Sequence, residues 1–136
     1  MLTESKLLLV VAVAMIDDAG RVLVQQRPEG KPMAGLWEFP GGKVEPGELP
    51  EAALIREIGE ELGVELRADS LTPAIFASEG LGARHLLLLV YLAREWRGEP
   101  EARHATALQW LRPAELRGLA MPPADEPLID LLERLV

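Results

Sequence analysis

Ten consecutive apolar residues, Leu7 to Ile16, constrain this chain more than any other stretch. A bilayer-spanning helix needs about 20, so the run is too short to cross a membrane. A secretory leader is the competing reading, with Ala12-Val13-Ala14 near the end of the run. Glu4 close to Lys6 gives such a leader a weak positive start. Asp17-Asp18-Ala19-Gly20 follows as a turn, and Arg21 to Arg27 then alternates as a paired strand does. The run is therefore expected to be a buried strand, the first half of a hairpin over about Leu7–Arg27.

At 136 residues the chain is expected to form a single domain, 1–136, large enough for a real core. Acidic residues outnumber basic ones 22 to 14, a formal net charge of −8. Binders of nucleic-acid polymers and of anionic membranes draw on Lys and Arg, so neither partner is expected. A small phosphorylated ligand bridged by metal cations is compatible with this charge. Cysteine is absent, which removes disulfides, thiolate metal sites and cysteine nucleophiles. Nothing then calls for an oxidising compartment, and a cytoplasmic location is the expectation.

Pro28 to Gly35 reads as a loop, Leu36-Trp37-Glu38-Phe39 as a short extended piece, and Pro46-Gly47-Glu48 as part of a second loop. The pattern predicts a helix from about Pro50 to Leu62, with Gly63 as its stop. Strands are predicted over Thr72–Ser78, His85–Ala93 and Ala107–Leu111, with Glu79 to Ala83 a loop between the first two. A short helix over Pro113–Arg117 precedes a last one over about Glu126–Leu135, whose Leu128, Leu131, Leu132 and Leu135 share a face. Strands and helices are mixed, so an α/β or α+β domain with helices on a mixed sheet is expected.

The chemistry concentrates in Arg56-Glu57-Ile58-Gly59-Glu60-Glu61-Leu62-Gly63. On a helix, Glu60 lies about −60° from Glu57 and Glu61 about +40°. Ile55, Ile58 and Leu62 cluster about 100–160° away, so a core face lies beside an acidic stripe. Like charges at these spacings repel, more so if partly desolvated. Arg56 can offset one charge, not three, whereas hard divalent cations such as Mg²⁺ favour carboxylate oxygens. A solvated acidic face is the alternative. Gly59 inside the helix, the tight Pro40-Gly41-Gly42-Lys43 loop and Glu48 just upstream weigh against it.

From Gly42 to Val64 the chain reads GKVEPGELPEAALIREIGEELGV. These 23 residues resemble the complete Nudix box, with Gly42, Glu48, Arg56, Glu57, Ile58, Glu60, Glu61, Gly63 and Val64 at every defined position. The resemblance implies an α/β/α sandwich around a mixed sheet. It implies an enzyme that hydrolyses nucleoside diphosphates linked to another moiety, with Mg²⁺ or Mn²⁺. Glu57, Glu60 and Glu61 would hold the metals, with the Gly41 carbonyl as a further ligand. Glu48 would support the site and Arg56 would orient the carboxylates.

Further matches resemble the MutT branch, which clears oxidised nucleotides such as 8-oxo-dGTP by cutting to monophosphate and pyrophosphate. They include Gln26-Arg27, Leu36 to Gly42, Arg84-His85, Trp96 to Pro100, Trp110 and Pro122 to Pro127. By this likeness Arg27 would sit near the phosphates and Phe39 near the base, with the Arg84 backbone and the Asp125 side chain facing the base edge. The bland alternatives are an exposed strand-end Arg27, a core Phe39 and a helix-capping Asp125.

Two departures matter. The 8-oxo-dGTP specialists carry Asn where this chain has Asp125, and an ionised Asp only accepts hydrogen bonds. It suits guanine's N1–H and 2-amino donors, but also the cytosine amino group, so CTP, 5-hydroxy- or 5-methyl-dCTP and ADP-ribose are alternative substrates. Many relatives also place a Glu where this chain has His104, with Glu101 the nearby acid. Either could act as base or ligand, or His104 could be a plain loop residue. A nucleotide-binding module without catalysis would be expected to have lost box acids, which this chain keeps. A nucleotide substrate and a monomer or homodimer are the expected partners.

Overall fold

The computed structural model describes residues 6–136, and Glu4 lies outside the described residues. The apolar run forms β1 (Leu7–Met15). It lies between β4 (Gly41–Lys43), antiparallel, and β6 (Arg84–Ala93), parallel, with β5 (Leu71–Leu81) antiparallel to β6 at the far edge. Val11, Val13 and Met15 enter a core beneath α1 (Pro50–Leu62). Ala12, Ala14 and Ile16 enter a second core with α3 (Glu126–Leu135), so β1 is covered on both faces. From Val11 onward the strand has no solvent side and so no place for polar residues, which explains the unbroken run there, while Leu7 at its start is exposed. The result is the expected α/β/α arrangement around a mixed sheet.

The expected first hairpin needs correction. β2 (Val22–Gln26) belongs to a second, antiparallel sheet, between β3 (Trp37–Glu38) and β7 (Ala107–Leu111). It meets the β1 segment through a single bridge, Ile16–Val22. Occupancy is part of the reason: β6 takes one edge of β1 along its whole length and β4 takes the middle of the other. The loop expected over Glu79–Ala83 shrinks to Gly82-Ala83, because Glu79, Gly80 and Leu81 pair with Leu86, His85 and Arg84. Gly82, at φ +65°, supplies the left-handed residue that so short a turn requires.

α1 has the expected bounds and ends at Gly63, whose φ of +70° lets its N–H reach the Gly59 carbonyl at 3.1 Å. The short α2 (Pro113–Leu116) leads to α3. The connection 44–49 is short, so α1 starts beside the strand that precedes it and the Gly41-Gly42 backbone lies alongside the acidic stripe. No helix among the described residues is long and apolar enough to cross a membrane.

Candidate active site

Burial of Ile58 and Leu62 fixes the rotation of α1. Glu57 then faces β4, Glu61 reaches β2, and Glu60 stays outermost with its side chain 53% exposed. Gly42 is required by space: a methyl group there would overlap the Glu57 carboxyl. A methyl group on Gly41 would overlap the Val11 backbone. The Val13 N–H donates to the Pro40 carbonyl at 2.9 Å. Antiparallel ladders alternate, so the next bonded pair is Val11 with Gly42, and Gly41 turns its own N–H and C=O toward the open edge of β4.

Arg56 organises the acids. Its Nε donates to Glu48 Oε2 at 2.8 Å and its Nη2 to Glu48 Oε1 at 3.0 Å, a bidentate fork. Nη1 donates to Glu57 Oε1 at 3.0 Å and lies 3.6 Å from Glu60 Oε2. The fork, with the Glu45 N–H, holds the Glu48 carboxyl down at about 2. Glu61 is outside the reach of this cation. Its Oε1 accepts from Gln25 Nε2 at 3.0 Å, while its enclosed Oε2 finds no hydrogen-bond partner among the described residues. Burial pushes Glu61 up to about 8; the Gln25 bond opposes this, and Glu57 and Glu38 add to it.

Among the described residues, no three His, Cys, Asp or Glu side chains converge into a closed metal cage. The donor set nevertheless suits a hard dication: an enclosed carboxylate oxygen without a hydrogen-bond partner, a second carboxylate beside it, and a backbone carbonyl turned outward.

A cavity of about 340 Å³ adjoins this cluster at Glu61. Its walls include Gly41, Gly42, Lys43 and Glu61 from the acidic side of the fold, Phe39, Ala124 and Asp125, and the apolar Val10, Leu86 and Leu88. Phe39 is both core and cavity wall, at 3% exposed. Asp125 occupies the cap position of α3, but its side chain makes no cap bond there. Its Oδ2 instead accepts the Phe39 N–H at 3.2 Å. Burial pushes its carboxyl up to about 7; the Phe39 N–H opposes the shift and Glu38 adds to it.

Arg27 also lines the cavity, tethered by Glu38 Oε1 at 2.8 Å and the Pro32 carbonyl at 2.7 Å, so it is not a loose strand-end residue. Arg84 is exposed at the tip of the β5–β6 ladder and is not among the cavity residues, although Leu81 opposite it is. His104 lines a neighbouring cavity of about 180 Å³ with Gln25, Glu38 and Glu61. Glu101 is exposed and pairs with Arg103 at 3.8 Å, so of the two it is His104 that is brought to the acids. Gln25, Glu38 and Lys43 were missed as site residues. Gln25 had a readable signal: it shares a strand face with the buried Leu23, so a polar group points inward.

The NUDIX domain profile matches residues 6–134. The chain is 38% identical over 120 residues to the CTP pyrophosphohydrolase of Escherichia coli, covering 88% of this chain and 87% of that one. It is 35% identical over 126 residues to the 8-oxo-dGTP diphosphatase of the same organism, covering 92% and 96%. The solution structure of the E. coli ORF135 protein superimposes with a TM-score of 0.85 at 36% identity, covering 96% of this chain and 91% of that one.

Gly42→Ala is expected to leave the urea midpoint nearly unchanged, because a flexible side-chain end can give way. It should weaken Mn²⁺ binding about 10-fold or more by displacing Glu57, as measured by calorimetric titration. Asp125 generates a second expectation. The folded chain holds a proton there that the unfolded chain releases above about pH 4. Stability from this group is therefore lost as pH rises toward about 7, by at most about 4 kcal/mol. Asp125→Asn keeps an acceptor for Phe39 and does not titrate. Its melting temperature should match wild type near pH 4, exceed it increasingly up to about pH 7 and hold a constant lead above that.

Proposed function

This chain belongs to the NUDIX family, as the match over residues 6–134 establishes, and from that premise we propose a substrate and roles for its site. It is a metal-dependent hydrolase of phosphoric anhydrides acting on small nucleotides. The proposed reaction is hydrolysis of a nucleoside triphosphate to monophosphate and pyrophosphate, with 8-oxo-dGTP as preferred substrate and Mg²⁺ or Mn²⁺ as cofactor. One observation carries the reading: a single cavity is lined both by Glu61, one of the acids of α1, and by the buried Asp125. It offers a cation-quenched wall for phosphates and a polar contact among apolar residues for a base.

A pyrophosphate link is shielded from water by its own anionic oxygens. Divalent cations, when bound, neutralise those oxygens and activate water for in-line attack on phosphorus. Glu57, Glu60 and Glu61 are the carboxylates that would hold them, with the Gly41 carbonyl. Glu48 fixes the Arg56 fork, and Arg56 in turn fixes Glu57. Lys43 and Arg27 border the phosphate path. Phe39 and Asp125 face the base, Asp125 accepting from guanine's N1–H and 2-amino group in its ionised form, which the folded chain reaches above about pH 7. His104, beside Glu61, is the stronger candidate for a proton acceptor than Glu101. The single domain acts in the cytoplasm, as a monomer or homodimer.

A specific observation supports a second substrate reading, CTP or a modified dCTP. Asp125 offers a carboxylate that the cytosine amino group also suits, and the CTP pyrophosphohydrolase is as similar to this chain as the 8-oxo-dGTP enzyme. Comparing kcat/KM for 8-oxo-dGTP, dGTP and CTP with Mg²⁺ decides between them. The proposal expects 8-oxo-dGTP to lead by at least about 10-fold, Glu57→Gln to lose most turnover while remaining folded, and Asp125→Ala to change the preference ratio. A lead for CTP selects the second reading; near-wild-type turnover of Glu57→Gln at saturating metal removes the assigned roles.

A further inference from the structure

Gln25 is the one strongly buried amide at the site, 3% exposed, and it stands on β2, in the sheet that does not contain the Gly41-Gly42 strand. Its Nε2 donates to Glu61 Oε1 at 3.0 Å and reaches Glu38 Oε2 at 3.5 Å. Reversing the amide would aim its carbonyl at two carboxylates, so electrostatics select the donor face. Among the described residues, Glu61 Oε2 and Gln25 Oε1 are then the enclosed side-chain atoms without a hydrogen-bond partner.

The geometry points to Gln25 as a positioning residue for the cation site: it ties down one oxygen of Glu61 and leaves the other for the metal. This rests on the metal-holding role proposed for Glu61. The residue type fits the task. An Arg or Lys at this position would pair with Glu61 and quench the charge a dication needs, as Arg56 does for Glu48. A Glu would add a repelling charge beside Glu38, Glu57 and Glu61. An apolar side chain would leave Glu61 Oε1 enclosed without a donor. A neutral amide orients a carboxylate without neutralising it. It also couples the β3 carboxylate, Glu38, which tethers Arg27, to the α1 carboxylate.

The test is Mn²⁺ binding without nucleotide, read from the free-Mn²⁺ electron paramagnetic resonance signal, for wild type, Glu61→Gln, Gln25→Met and Gln25→Asn. Gln25→Met keeps volume and removes the donor; Gln25→Asn keeps the amide but draws it out of reach, and serves if the first variant does not fold. Both are expected to weaken the Mn²⁺ Kd about 10- to 100-fold. Turnover should fall at limiting metal and recover at high metal, with KM for the nucleotide little changed. A purely structural role would lower the melting temperature and leave Kd of the folded protein unchanged, and an unchanged Kd overturns the proposal. Wild-type binding that Glu61→Gln does not weaken overturns instead the Glu61 role on which it rests.

Discussion

Mutual repulsion among carboxylates crowded onto one side of α1 is the constraint from which the rest of this site follows. A single cation, Arg56, is spread over Glu48, Glu57 and Glu60 at 2.8 to 3.6 Å. Glu61 lies outside that arrangement and is met by neutral groups, the Gln25 amide and the Gly41 N–H. Concentrating negative charge where water is partly excluded costs stability unless something of opposite charge completes it. The fold keeps the arrangement all the same, and that is intelligible as the resting form of a site built for dications.

The scaffold is organised to hold this helix rigidly. β1 is buried on both faces, so it cannot shift without disturbing two cores. It carries β4 on one edge, and β4 presents two glycines so that backbone and carboxylate can approach where any side chain would intrude. The opposite face of the same sheet floors the cavity that Asp125 also lines. The acids and Asp125 are thus linked by one strand, although 64 positions separate Glu61 from Asp125 in the chain.

Local physics was legible in the sequence wherever it decided the outcome. Pro50 and Gly63 bound α1, and the spacing of Ile58 and Leu62 set the side on which its acids fall. The 23-residue motif carries the family resemblance by itself. Pairing between distant segments was not legible. Alternation in Arg21–Arg27 announces a strand but not its partner, and β1 is already paired with β6 and β4. The two glycines before Arg84 look like loop residues until the register with β6 claims one of them. At the site, the box acids were readable and Gln25 could be seen to point inward, whereas the partners of Gln25, Glu38 on the neighbouring strand and Glu61 on α1, lie on distant segments that no local pattern joins.

The most direct measurement is the anomalous diffraction of crystals grown with Mn²⁺ and a non-hydrolysable triphosphate analogue. Manganese peaks within coordination distance of Glu57, Glu61 and the Gly41 carbonyl, shared with phosphate oxygens of an analogue whose base lies against Asp125, are the predicted result. Peaks elsewhere, or an ordered analogue whose phosphates lie away from the α1 carboxylates, would contradict the account.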